Sequence, residues 1–169
     1  MLIIFSGLPG TGKSSIASVL AKKINAFYIR IDTIEQTLAS VNGGGKGSDP
    51  SGYVIAYALC KENIANNPDA VVITDSVNAT KMTRDHFRKI AISVHKPFIE
   101  REVICSDKNE HRKRVENRCG DIEGMNLPNW ERVMKRKYEK WDREHLVIDS
   151  AKFSIQESVE LILNRLKKT

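Results

Sequence analysis

The segment Gly7-Leu8-Pro9-Gly10-Thr11-Gly12-Lys13-Ser14 constrains this chain more than any other stretch, because it satisfies the pattern G-x-x-x-x-G-K-[ST] in full. Glycine at these points lets the backbone take positive φ and bring its N–H groups against an anion. The apolar run Leu2 to Phe5 before it reads as a buried strand. Lys13 to Ile24 after it reads as a helix, with Ile16, Val19, Leu20 and Ile24 on one face. A glycine turn opening a helix places the anion where the helix dipole favours it. Gly7 to Ser14, with Ser15 beside them, are therefore the expected holders of a nucleoside triphosphate tail, ATP first among candidates. Lys13 would reach the β- and γ-phosphates, and the Ser14 hydroxyl would ligate Mg²⁺. The competing reading, a glycine turn that matches by chance, is disfavoured by the strand–loop–helix context.

Short apolar runs alternate with helical patterns along the rest of the chain. Further strands are expected at Phe27–Ile31, Ala70–Thr74, Phe98–Ile104 and Leu146–Ile148. Capping patterns at Asp32 to Glu35, Asp107 to Glu110 and Ser154 to Glu157 predict helix starts, and Thr83 or Asp85 opens another helix. A helix spans about Tyr53 to Asn66, and the basic helix after Asp107 ends near Cys119-Gly120. Trp130, Val133, Met134 and Trp141 share a helical spacing, so core packing is favoured over base stacking for the two tryptophans. Residues 40–52, glycine-rich and polar, form a long loop. Strands alternating with helices imply an α/β class, a parallel sheet covered on both faces. The 169 residues make one domain's worth of chain.

Bulk properties narrow the setting. No apolar run approaches the ~20 residues that cross a bilayer. The opening Met-Leu-Ile-Ile-Phe lacks a basic flank and runs straight into the glycine loop. Cys60, Cys105 and Cys119 form no zinc or redox pattern, and the four histidines never pair at helical spacing. A cytoplasmic protein without a protein-held metal site is expected. The net charge of +6 suits anionic partners in general, nucleotides, phosphorylated metabolites and RNA alike.

The run Ala70 to Asp75 is an apolar strand ending in a carboxylate, the arrangement that supports magnesium. The next residue is Ser76, where motor ATPases usually place a water-activating glutamate, and no Asn-Lys-x-Asp guanine-reading motif occurs. The small kinases remain. Arg112, Arg114 and Arg118 lie on one basic helix, and phosphoryl transfer needs positive charge where the γ-phosphate leaves. Arg114 and Arg118 share a face, and Arg118 is the first choice; a solvated face paired to Glu110 and Glu116 is the alternative.

Taken together, Gly7 to Ser15, Arg30-Ile31-Asp32-Thr33-Ile34-Glu35, Asp75-Ser76-Val77-Asn78, Glu110-His111-Arg112 through Arg118 and Leu146 to Asp149 resemble the bacterial P-loop kinases of the AAA-domain type. These are similar to chloramphenicol phosphotransferase, zeta toxin and the kinase domain of polynucleotide kinase. The resemblance spans nearly the whole chain. It implies a three-layer fold with five parallel strands in the order 2-3-1-4-5, a mobile lid over about residues 107–128, and phosphorylation of an acceptor hydroxyl. In that order Asp75 faces the metal beside Ser14, and Asp32 faces the acceptor, where the resembling kinases place the acid that accepts the hydroxyl proton. A plain helix cap is the alternative for Asp32. Arg30, Glu35, Asn78 and Arg84 are further candidates to meet the acceptor.

The leading expectation is an ATP- and Mg²⁺-dependent phosphotransferase acting on a small-molecule hydroxyl. Its rivals are a polynucleotide 5′-hydroxyl kinase and a nucleotide-binding regulatory module without catalysis.

Overall fold

The computed structural model describes residues 1–41 and 50–167. Five strands, β1 (Leu2–Ser6), β2 (Phe27–Arg30), β3 (Val72–Asp75), β4 (Phe98–Ile104) and β5 (Leu146–Asp149), form one sheet in the order β2-β3-β1-β4-β5. Every pairing is parallel. The expected strand order is the one observed. The helices are α1 (Lys13–Lys23), α2 (Ile31–Val41), α3 (Ser51–Asn66), α4 (Lys81–Ser93), α5 (Lys108–Asn117), α6 (Trp130–Lys135) and α7 (Ile155–Leu166).

Because strand side chains alternate in direction, central β1 feeds two cores at once. Ile3 and Phe5 pack with Ile16 and Leu20 of α1 and with Val159 and Ile162 of α7. Leu2 and Ile4 pack with Ala56, Cys60 and Ile64 of α3 and with Phe87 and Ala91 of α4. All five residues of β1 are buried, which explains a continuous apolar run without polar alternation. Burying a side chain such as Phe5 contributes roughly 1.5–3 kcal/mol.

Several boundaries differ from the sequence expectation, each for a local reason. β2 passes directly into α2 at buried Ile31, so Asp32 lies inside the first helical turn and not at an N-cap. Only Thr80, three residues before Thr83, has the geometry to cap α4, its side chain accepting from the Thr83 N–H. Asp107 does cap α5, accepting from the N–H groups of Asn109 and Glu110, but the Glu110 carboxylate turns to Arg114 at 2.9 Å, so the box is half formed. The box Ser154–Glu157 at α7 is complete. Of the 40–52 loop, residues 42–49 lie outside the described residues, while α2 and α3 extend into its two ends.

The expected helix through Trp141 ends at Lys135, and Met134 is exposed. Trp141 stacks on His145 with ring centroids 4.0 Å apart, and the Arg84 guanidinium lies 4.4 Å from its ring centroid. Arg84, only 1% exposed, also donates to the carbonyls of Thr80 at 3.1 Å and Glu139 at 2.7 Å. An irregular strap over residues 136–145 is thereby pinned to α4, and Arg84 serves packing there. Among the described residues no helix is long and apolar enough to cross a membrane.

Candidate active site

The C-terminal ends of β1, β2 and β3 are level, with Asp75 paired in register to both Phe5 and Arg30. In an open parallel sheet this edge is where ligands bind. Gly7 leaves β1 with φ 144°, and a Cβ there would stand 2.3 Å from the Val103 carbonyl oxygen. Only glycine lets the loop start so close to β4. Leu8 and Pro9 carry the chain over, and Thr11 Oγ1 closes the turn by donating to the Leu8 carbonyl at 2.9 Å. Gly12 then precedes α1 without any side-chain cap, and α1 has no acid in its first turn. Its leading N–H groups and dipole are thus available to an anion.

Lys13, 6% exposed, donates from Nζ to Asp75 Oδ1 at 2.7 Å. Tyr28 Oη donates to Asp75 Oδ2 at 2.6 Å, and the Ser14 hydroxyl is a further hydrogen-bond partner of this acid. Burial of Asp75 works to raise its pKa, but the Lys13 charge and these hydrogen bonds outweigh it and hold the carboxyl below the usual range. The Tyr28 phenol is pushed up by its burial and by the neighbouring Asp75 charge. Ser15 is exposed at the cleft wall. Sequence reasoning missed Tyr28, since a tyrosine in a strand reads as an ordinary β-former.

Helix α5 forms the roof of the loop. His111 Nε2 lies 2.9 Å from the Pro9 carbonyl, and a Cβ on Gly10 would stand 2.4 Å from Val115 Cγ2. Arg114 donates to Ser150 Oγ at 2.8 Å and to its carbonyl at 3.1 Å, reaching across Gly12 to the turn after β5. Arg118, at the end of α5, donates to the Pro128 carbonyl at 3.3 Å, while its Nε is buried without a partner among the described residues. Burial lowers the Arg118 pKa, and the fields of Asp32 and Asp121 oppose that. Arg112 instead pairs with Glu116 on the exposed face.

A cleft of about 1430 Å³ opens between the loop, the start of α2 and the segment after α5. A single small-ligand site occupies roughly 300–1,000 Å³, so the space admits a nucleotide and a second molecule. Gly10, Gly12, Lys13, Ser14, Arg114 and Ser150 surround one end; Arg30, Asp32, Glu35, Tyr53, Arg118 and Asp121 line the other. Gly52 at the start of α3 admits the Glu35 side chain, whose Cγ lies 2.4 Å from where a Cβ would be. Asn78, also considered from sequence, is fully buried and donates to the Phe5 carbonyl at 2.8 Å, bracing β1. Among the described residues no cluster of His, Cys, Asp and Glu could hold a metal by itself.

Residues 2–140 match the AAA-domain family of P-loop proteins. The chain belongs to that family. It is 24% identical over 179 residues to a protein of Aeropyrum pernix named as a probable adenylyl-sulfate kinase, covering 99% of this chain and 92% of that one. The fold is also that of the Mycobacterium tuberculosis APS kinase CysC solved with AMPPNP and APS, at a TM-score of 0.69, 16% identity and coverage of 98% and 96%. A gluconokinase from Sinorhizobium meliloti 1021 superposes with a TM-score of 0.65, 18% identity and coverage of 98% and 91%. The fold is therefore that of a small P-loop kinase of the AAA type.

Proposed function

We propose that this protein is a kinase that binds ATP with Mg²⁺ and transfers the γ-phosphoryl group to a hydroxyl of a small molecule. The observation that carries this is the continuity of the cleft: the loop and Lys13 line one part of it, with buried Asp75 behind Lys13, and Asp32 and Arg118 line another. Kinship with adenylyl-sulfate kinases, and a fold shared with a gluconokinase, supports phosphoryl transfer to a hydroxyl.

The chemistry follows from the charges. The loop amides and the α1 N-terminus hold the β- and γ-phosphates, and Lys13 leaves Asp75 to join them. Ser14 and the released Asp75 are adjacent oxygen donors, the hard ligand type that suits Mg²⁺. When bound, the metal neutralises charge developing on the phosphates. Asp32 accepts the proton of the acceptor hydroxyl as its oxygen attacks the γ-phosphorus. One O–P bond forms, the bridging P–O bond breaks, and ADP leaves. Arg118 and Arg114 stabilise negative charge on the transferring group and the departing phosphates. The segment over about residues 107–128 acts as the lid, with α5 packed against the loop through His111.

Labelled ATP offered with a panel of hydroxyl compounds tests this reading. Asp32→Asn should keep Mg–ATP affinity and lower turnover by roughly 10²–10⁴-fold. Unchanged turnover would remove Asp32 from the chemistry. Label entering only 5′-hydroxyl oligonucleotides would favour the polynucleotide rival, and tight binding with no transfer would favour a regulatory module.

A further inference from the structure

Arg30 and Asp121 meet across the acceptor end of the cleft, and nothing in the phosphotransfer chemistry requires them to. Arg30 is the last residue of β2, and its guanidinium makes a two-pronged pair with the Asp121 carboxylate, Nη1 to Oδ2 at 2.5 Å and Nη2 to Oδ1 at 3.0 Å. The partners are unequal. Arg30 is 18% exposed and its Nε is buried without a partner among the described residues, whereas Asp121, beyond the end of α5, is 68% exposed. Asp121 can therefore return to water at little cost. Arg30 is the more enclosed partner, so its fork gains more from keeping an anion. The fork geometry suits a carboxylate or phosphate.

We propose that Arg30 is the acceptor-recognition residue, binding a carboxylate or phosphate on the acceptor in the place where Asp121 now pairs with it. This rests on the phosphotransfer reading for which end of the cleft receives the acceptor. Arg30 and Asp32 are two residues apart and both line the cleft, their Cα atoms at most ~7 Å from one another. Anion and reacting hydroxyl then belong to one small molecule, separated by a few bonds. Asp32, Glu35 and a displaced Asp121 oppose an anion here, but Arg118, Arg132, Lys135 and Arg136 line the same cleft and, with Arg30, outnumber them.

The test is binding of three matched probes, glycerol, glycerate and glycerol 3-phosphate, to the full chain by calorimetry, with and without a non-hydrolysable ATP analogue and Mg²⁺. At least one anionic probe should bind about tenfold or more tighter than glycerol. The anion that binds better tells carboxylate from phosphate. Arg30→Gln should erase the preference, Arg30→Lys should keep part of it, and Asp121→Asn should strengthen anion binding several-fold. A merely structural ion pair would not move the two partners in opposite directions. Thermal melts of each variant verify folding. Equal binding of all three probes, an unchanged preference in Arg30→Gln, weaker anion binding in Asp121→Asn, or no anion binding to that variant would overturn the proposal. Loss of the ATP analogue's own binding would count against the phosphotransfer reading instead, since the anion preference is also read without nucleotide.

Discussion

Lys13 Nζ and Asp75 Oδ1 lie 2.7 Å apart, so the cation suited to a triphosphate and the acid suited to its metal hold each other. Both are buried, and removing one partner of such a pair strands the other charge. Lys13→Met should lower unfolding free energy by about 3–5 kcal/mol in urea titrations without nucleotide. The double variant Lys13→Met, Asp75→Asn should recover much of that loss, because no bare charge remains. Equal stability of the single variant and the unmodified protein would show that the pair is not buried in solution.

Gly10 sits at φ 84°, with Val115 of α5 filling the space a side chain would need. Gly10→Ala is thus strained in its backbone and pushes the roof helix off the loop. A loss of more than about 1 kcal/mol of stability is expected, together with weaker ATP binding. Pairing it with Val115→Ala, which opens the space, should recover part of the binding and leave the backbone strain. No recovery would show that Val115 is not what excludes the side chain.

The architecture was legible in the sequence because its signals were local and redundant. β1 has a continuous apolar run, the glycine loop follows it at once, and α7 carries a full capping box. What failed was legible only in three dimensions. Asp32 to Glu35 has box spacing, yet buried Ile31 starts the helix one residue earlier and takes Asp32 into the turn. Trp141 has helical spacing from Trp130, yet a buried Arg84 outside that helix claims its ring. Tyr28 and Asp121 join the site through partners 47 and 91 residues away, and no pattern in the chain announces such pairs.

Asp149 gives a pH dependence of defined sign. Burial acts to raise its pKa, but hydrogen bonds from the Ser106 side chain and N–H and from the Ala151 N–H, with Lys152 nearby, bring it to about 2. The unfolded value is about 3.9. Its stabilisation is therefore present above about pH 4 and is lost as pH falls towards 2. Asp149→Asn should cost about 1 kcal/mol at neutral pH, measured by denaturant unfolding, and the gap should close in acid. A gap that widens in acid would contradict the assignment.

Two of the three thiols, Cys60 and Cys119, should separate by reactivity. Cys60 is fully buried, and burial pushes its thiol up to about 12, while Cys119 is exposed at the cleft wall. A thiolate-selective reagent near pH 8 should modify Cys119 in the folded protein and Cys60 only on unfolding. Peptide mass mapping after short exposure checks the order, and early loss of the Cys60 thiol would contradict the packing of α3.

The most direct measurement is calorimetric titration of the folded protein with ATP in the presence and absence of Mg²⁺, with Lys13→Ala alongside. The expected result is saturable one-to-one binding strengthened by Mg²⁺ and weakened at least tenfold in the variant. Absence of any binding heat from the folded protein with Mg–ATP, or equal affinity in Lys13→Ala, would contradict the assignment of the loop from Gly7 to Ser14.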